Sequence, residues 1–272
     1  KIVGEEFVAD GGKDAEIIVN KFKKKLPITY LNCPTFGQIA QRNYALKFVK
    51  KDINLVAYLD DDLQLERKAF ESIIEFYNSR KNKPAGVSFN ITNMPHQPNS
   101  LFRKFFLMPL TPSGKVFKSG YNAPITNLNK TIKVEWLLGG ATLWRKDVLE
   151  NNPLPPVNLS WAVCEDLIFS YPISKIETLY VCHNAKTLHV DNVIKLKFKT
   201  ALQKAKIGTF RRFEFVQKNK DLSILLFFWM CIGQIIGRSI LICKNPKVEF
   251  GNLLGIIFGI FICIKKLILK NE

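Results

Sequence analysis

Apolar positions fall into two regimes along this chain. As far as about position 190 they come in short runs broken by polar turns, and from 222 onward they are nearly continuous. In the first regime, Glu6-Phe7-Val8-Ala9-Asp10 has the pattern of a short strand closed by a turn at Gly11-Gly12. Positions 13–18 open an amphipathic segment that ends in a basic run at 21–25, and 26–31 is a second strand pattern. Between 37 and 49, Ile39, Leu46 and Val49, with Ala40 and Ala45 among them, suit a helix lying on a sheet. Leu55-Val56-Ala57-Tyr58-Leu59 then runs without a polar break, as a strand buried on both faces would. A helix is predicted over 66–77, where Phe70, Ile73, Ile74 and Tyr77 repeat at i, i+3, i+4 and i+7. Strands alternating with helices predict an α/β fold with a doubly wound, mostly parallel sheet.

Further strand patterns lie at 87–91, 179–182 and 186–190, separated by a weakly ordered stretch over 92–133. Within that stretch, 101–107 is both basic and aromatic. It reads as packing on the domain, with contact to a membrane surface as the alternative. The apolar run 134–138 leads into Gly139-Gly140, and 142–149 reads as a short helix carrying Arg145 and Lys146. From 193 to 205, Ile194, Phe198, Ala201, Leu202 and Ala205 recur at helical spacing among lysines, the pattern of a cationic amphipathic helix.

The second regime holds two apolar runs, 222–243 and 248–264, the second ending at Lys265-Lys266. Their lengths approach the ~20 residues that cross a bilayer core, so a membrane hairpin is expected. Gly233 and Gly237, like Gly251, Gly255 and Gly259, are spaced to let two membrane helices approach closely. Lysines at both ends place those ends, and the domain before them, on the cytoplasmic side of a cytoplasmic (inner) membrane. The expected organisation is therefore a catalytic-type domain over 1–192, a basic juxtamembrane segment over 193–220 and a hairpin over 221–270.

A formal net charge of +17 suggests an anionic partner. The cations concentrate beside the apolar tail and no recognition motif is present, which argues against nucleic acid. Six cysteines without a C-x-x-C pair read as free thiols in a reducing compartment or in membrane. The chain opens at Lys1 without a signal-peptide pattern, and reads as a fragment.

Candidate chemistry gathers at two acidic sites. Asp60-Asp61-Asp62 follows directly on the 55–59 run. Adjacent carboxylates resist ionising together unless something compensates them, and at the carboxyl end of a buried parallel strand the compensator is a divalent ion. The alternative is a solvated acidic turn. Glu165-Asp166 opens a short helical pattern, where the helix dipole alone would favour carboxylates. Gly139-Gly140 allows close backbone approach to a ligand or serves a tight turn. A lone histidine such as His189 is more often structural.

Taken in order, these pieces resemble the family 2 glycosyltransferases, which have the GT-A fold. Asp10-Gly11-Gly12-Lys13-Asp14 is similar to the family's Asp-Gly-Ser-x-Asp, Gln41-Arg42-Asn43 to its Ala/Gln-Arg-Asn segment, and Asp60-Asp61-Asp62 to its Asp-x-Asp metal motif. Gly139-Gly140, Glu165-Asp166 and His189 resemble its acceptor-side turn, its Glu-Asp motif and its later histidine. The resemblance implies an inverting transfer from a nucleotide-diphosphate sugar. Asp10, Arg42, Asn43, Asp60 and Asp61 would bind the donor, with Asp10 at the nucleobase or ribose and Arg42 at the phosphates or the Asp cluster. Asp62, with Asp60 and His189, would hold Mg2+ or Mn2+. Gly139 and Gly140 would face the acceptor, Asp166 would be the general base and Glu165 would orient it.

The family's first strand and helix are absent ahead of Lys1, and the processive synthases' Gln-x-x-Arg-Trp is not matched by Gln203 and Arg211-Arg212-Phe213. Asp62-Leu63-Gln64 is similar to polyprenyl-phosphate sugar transferases, but Glu165-Asp166 fits the saccharide-extending branch better. The implied reaction is sugar transfer to a membrane-associated, lipid-linked saccharide in cell-surface polysaccharide or glycolipid synthesis. The alternatives are a polyprenyl-phosphate sugar transferase and a degenerate membrane scaffold of the same fold.

Overall fold

The computed structural model describes residues 4–12, 14–94, 99–126, 128–153, 163–190 and 197–269. Strand β1 (Glu6–Asp10), helix α1 (Glu16–Phe22) and β2 (Ile28–Asn32) form a first unit in which β1 and β2 pair in parallel, Glu6 opposite Ile28. They make a two-stranded sheet of their own. Helix α2 (Gln38–Leu46) begins at Gly37, whose φ of 112° is open to glycine and strained for other residues.

The main sheet is built from β3 (Leu55–Leu59), β4 (Leu63–Leu65), β5 (Gly86–Ile91), β6 (Ile132–Val134), β7 (Ala141–Arg145) and β8 (Leu179–His189). Its helices are α3 (Ala69–Ser79), α4 (Leu101–Phe105), α5 (Lys146–Asn151) and α6 (Glu165–Ser174). Strand order is β3-β7-β5-β8-β4, with β6 also on β8. The α/β class is as expected, but the sheet is mixed. Among its described strands only β5–β8 pairs in parallel, while β3–β7, β5–β7, β4–β8 and β6–β8 are antiparallel.

This corrects the reading of 55–59. Among the described strands β3 pairs with β7 alone, so it lies at an edge, half-buried along most of its length, with Leu59 exposed. The apolar run reflects packing of one side on the core rather than two covered faces. Position 142, expected in a helix, lies in β7, and the helix begins only at Lys146. The two strand patterns near 180 and 188 are one strand, β8, whose partner β5 shifts register between Phe89 and Asn90. The Asn90 side chain donates to the His183 and Leu128 carbonyls at that shift, which keeps the irregular backbone paired.

Three helices follow among the described residues: α7 (Phe198–Lys218), α8 (Ile224–Leu241) and α9 (Pro246–Ile268). The basic helix expected from 193 is seen from Phe198; residues 191–196, including the 192/193 boundary, lie outside the described set, as does Lys13 of the first motif. By length and composition α8 and α9 could each cross a membrane. The main core nevertheless runs from the sheet into them. Trp144, Tyr171 and Leu179 share one buried cluster with Phe213, Phe227, Met230 and Cys263. A second cluster fills the other side of the sheet, under α3, around Ile73, Val87, Phe89 and Leu143. The α4 segment packs on the domain, with Phe106 buried and Phe105 edge-on to Trp229.

Candidate active site

The end of β3 meets the start of β7 at one tight contact. Asp60 N–H donates to the Gly140 carbonyl at 2.8 Å, continuing the β3–β7 ladder by one step. The Asp60 carboxylate then lies against the Gly140 Cα, and a Cβ at that position would fall inside it. Gly140 is therefore there for space; its φ is not in the left-handed region.

Helix α2 supplies the compensating charge. Arg42 Nη2 reaches Asp60 Oδ1 at 2.8 Å, and Gln38 Nε2, one turn earlier, donates to the same oxygen at 2.7 Å. The guanidinium also sits over the Tyr58 ring, 5.3 Å from its centroid. A charge-assisted bond with one partner this well covered (the Arg42 side chain is 11% exposed) fixes the carboxylate in place. Burial raises the Tyr58 hydroxyl to about 12, against the opposing effect of Arg42, so it stays protonated.

The second acidic site faces the first across Gly139. A Cβ at Gly139 would meet Arg42 Nη1 at 3.2 Å and the Asp166 Cβ at 3.5 Å. Arg42, Tyr58, Gly139, Glu165, Asp166 and Phe169 line a single pocket. Asp166 stands in the first turn of α6, its Oδ1 accepting from Leu167 N–H at 2.8 Å. Burial, and next the charge of Glu165, raise its pKa to about 6. Glu165 is itself raised, chiefly by burial. The pair is anchored from below, where Ser170 Oγ donates to the Asp166 carbonyl at 2.6 Å and accepts from Leu137 N–H at 3.0 Å. The residue before the pair, Cys164, has a φ of 63°, uncommon for a side chain of its kind. Arg212 of α7 reaches its Sγ at 3.8 Å and Asn122 Oδ1 at 2.9 Å, and also donates to the Gly120 carbonyl.

The remaining expected residues are placed less uniformly. Asp61 is exposed and Asn43 is half-buried on α2; neither lines the pocket. Asp10 lies on the two-stranded sheet, its carboxylate accepting from Gly12 N–H, Ala15 N–H and the Tyr30 hydroxyl, and it too is outside the pocket lining. Asp62 and His189 are brought together because β4 and β8 pair Leu63 with His189; their Oδ2 and Nε2 are 3.4 Å apart. The other Asp62 oxygen, Oδ1, is buried and has no hydrogen-bond partner among the described residues. An orphaned carboxylate oxygen beside an imidazole fits a divalent ion. Among the described residues no three His, Cys, Asp or Glu form a cage, and Asp60 is already engaged by Arg42 and Gln38. That suits an ion completed by substrate phosphates, as Mg2+ usually is.

Sequence reading missed Gln38, Tyr58, Ser170 and Arg212. Gln38 carried a signal, since it precedes Arg42 by four residues on one helix face. Arg212 carried none, because its partners lie at 120, 122 and 164.

Residues 5–151 match the family model described as glycosyl transferase family 2. Among solved structures, S. aureus TarS 1-349 matches at 15% identity with a TM-score of 0.52, over 93% of this chain and 70% of that one. S. aureus TarS 1-349 in complex with UDP-GlcNAc matches at 13% identity and a TM-score of 0.42, over 92% of this chain and 80% of that one. At 15% identity the likeness to the first of these is one of fold. No curated protein matches the sequence.

Proposed function

The chain belongs to glycosyl transferase family 2, and from that premise we propose that it is an inverting glycosyltransferase. In this reading it moves a sugar from a nucleotide-diphosphate sugar onto a lipid-linked saccharide at the cytoplasmic face of a membrane. The observation that carries the reading is the pocket that Asp166, with its pKa raised to about 6, shares with Gly139 and with Arg42, the partner of Asp60.

A direct displacement needs a base for the acceptor hydroxyl, a fixed donor and neutralisation of the leaving diphosphate. Asp166 takes the hydroxyl proton as that oxygen bonds to the anomeric carbon and the bond to the diphosphate breaks. A base whose pKa lies just below neutrality is mostly ionised at working pH and still accepts a proton readily. Glu165 orients it, and the Ser170 bonds hold the turn of α6 that carries both. Arg42 and Gln38 keep Asp60 turned to the donor side. Asp62 and His189 would hold the divalent ion, which when bound supplies Lewis-acid neutralisation of the leaving phosphates.

The acceptor assignment is drawn from α8 and α9, whose length and composition suit a membrane anchor. A soluble acceptor would gain nothing from such anchoring. The test is a thermal-shift screen of nucleotide-sugars with Mn2+ and Mg2+ on the full chain in detergent, followed by transfer assays on lipid-linked and water-soluble acceptors. Preference for the water-soluble acceptors would remove the lipid-linked part of the reading. In the same screen, Asp62→Asn is expected to lose the metal-dependent part of the donor-induced shift while its melting temperature without ligand stays within ~2 °C of wild type. An unchanged Mn2+ response in that variant would take Asp62 out of the metal site.

A further inference from the structure

We propose that α8 and α9 lie flat on an anionic bilayer surface instead of crossing it, so that the enzyme is held in plane by one apolar face. The inference rests on the membrane-bound part of the function proposed above and specifies how the binding is made.

The packing of α8 along its length comes first. Its N-terminus is tied to the domain by Ser223 N–H, which donates to the Lys118 carbonyl at 2.8 Å. Trp229 Nε1 donates to the Phe105 carbonyl at 2.8 Å. A Cβ at Gly233 would fall into the Phe106 ring, and one at Gly237 would touch Phe102 at 3.7 Å. These contacts recur over four turns of the helix. A spanning helix would leave the domain after its first turn.

Helix α9 is tied down in the same way, by α7. Its glycines do not face α8, as their spacing alone would allow. Gly251 meets the Phe198 carbonyl and Ala201, Gly255 meets Leu202 and Ala205, and Gly259 meets Lys206 and Thr209. Both helices advance together, so they run parallel and touch from end to end, closing with Lys266 Nζ on Glu214 Oε1 at 2.8 Å. Helix α7 carries Lys199, Lys204, Lys206, Arg211, Arg212 and Glu214. If α9 crossed the hydrocarbon, α7 and all these charges would have to enter with it, and charges at bilayer depth are costly.

Beside these contacts, and among the described residues, α8 and α9 also carry apolar side chains open to solvent. Leu225, Ile232, Ile236 and Ile240 form one exposed stripe on α8, at i, i+7, i+11 and i+15, and Phe258 and Phe261 are exposed on α9. Leu101 and Phe105 of α4, also exposed, lie at the same side as Trp229. An apolar face of this extent marks an interaction surface. Lys244, Lys247 and Lys265 are exposed at its ends. An apolar face rimmed by lysines is complementary to an anionic lipid surface, with aromatic rings at headgroup depth.

The chain carries its own reporter. Cys243 is exposed at the tip between α8 and α9, where a spanning hairpin would put it across the membrane. The full chain in right-side-out and inverted membrane vesicles is treated with a membrane-impermeant maleimide, with Cys243→Ser as the control for labelling elsewhere. In-plane binding predicts labelling of Cys243 only from the side that bears the catalytic domain. Labelling from the opposite side, or from neither, overturns the proposal. A second measurement is flotation with phosphatidylcholine vesicles with and without phosphatidylglycerol. Wild type is expected to float with the anionic vesicles, and Ile240→Lys with Phe261→Lys is expected to cut that fraction at least tenfold while keeping the melting temperature in detergent within ~2 °C of wild type. Concentration-dependent self-association without flotation would make the face a protein interface and would also overturn it. Neither readout uses sugar transfer, so a failed transfer assay with correct sidedness rejects the proposed reaction and leaves the membrane geometry standing.

Discussion

Asp166→Asn is expected to lower kcat by ~10²-fold or more, with little change in donor affinity, because it keeps the shape of the side chain and removes the proton acceptor. The wild-type rate should also fall on the acid side, as pH drops through the Asp166 pKa of about 6. The variant has no such limb. The stability effect has the opposite sign. Burial raises the folded-state pKa above its ordinary value of 3.8, so folding favours the protonated form. This contribution is fully present below the unfolded value and is lost as pH rises through about 6. Asparagine has no charge to desolvate, so above about pH 7 the variant should melt a few degrees higher than wild type. Steady-state kinetics between about pH 5 and 8 and melting curves over the same range check both halves. Near-normal turnover in the variant would end the assignment of Asp166 as base. An unchanged melting temperature would instead place the carboxylate in water.

The second large effect is expected at Gly140. Alanine there puts a methyl group where the Asp60 carboxylate lies, so that carboxylate must leave Arg42 and Gln38. Misplacing a donor-side group by about 1 Å costs on the order of 10²-fold in rate, and kcat/KM should fall at least that far. Gly139→Ala is the internal comparison. Its methyl group meets the end of a flexible arginine side chain at 3.2 Å, which can yield by a few tenths of an ångström. A loss no greater than about tenfold is expected there. If the two variants behave alike, the pair is a turn and the Asp60 contact is incidental.

The acidic sites are legible in the sequence because their signal is local. An apolar run followed by carboxylates, and carboxylates opening a helix, are each patterns confined to about ten residues, and both stand where expected. The mixed sheet is not legible. Whether β3 meets β7 antiparallel is decided by partners some ninety residues apart, and a run of five apolar residues looks the same at an edge as in the middle. Asp62 and His189 are named by a resemblance, but their meeting follows from the β4–β8 register, which no spacing reveals. The same holds for Asp10. Its motif resembles one that binds a donor, and in the fold its carboxylate accepts from Gly12 and Ala15 in the following turn and from Tyr30 on β2, a partner that no local spacing reveals. The glycines of α9 do mark a close-approach face, but the helix that approaches is α7 and not the other half of a hairpin.

That neighbour has a consequence for the order in which the protein is made. Synthesis is vectorial, and α7 leaves the ribosome well before α9, with the whole of α8 between them. Until α9 emerges, the groove of Ala201, Ala205 and Thr209 that receives its glycines has no occupant. Domains fold as units from the N-terminal side, so the sheet and the acidic pocket can assemble while this groove is still open. Closing it joins residues separated by some fifty positions, which costs little more than a shorter loop would. Of the two helices α9 is translated later, and it is the one that completes the outer apolar face, so a chain stalled before it would hold a formed pocket on an unfinished base.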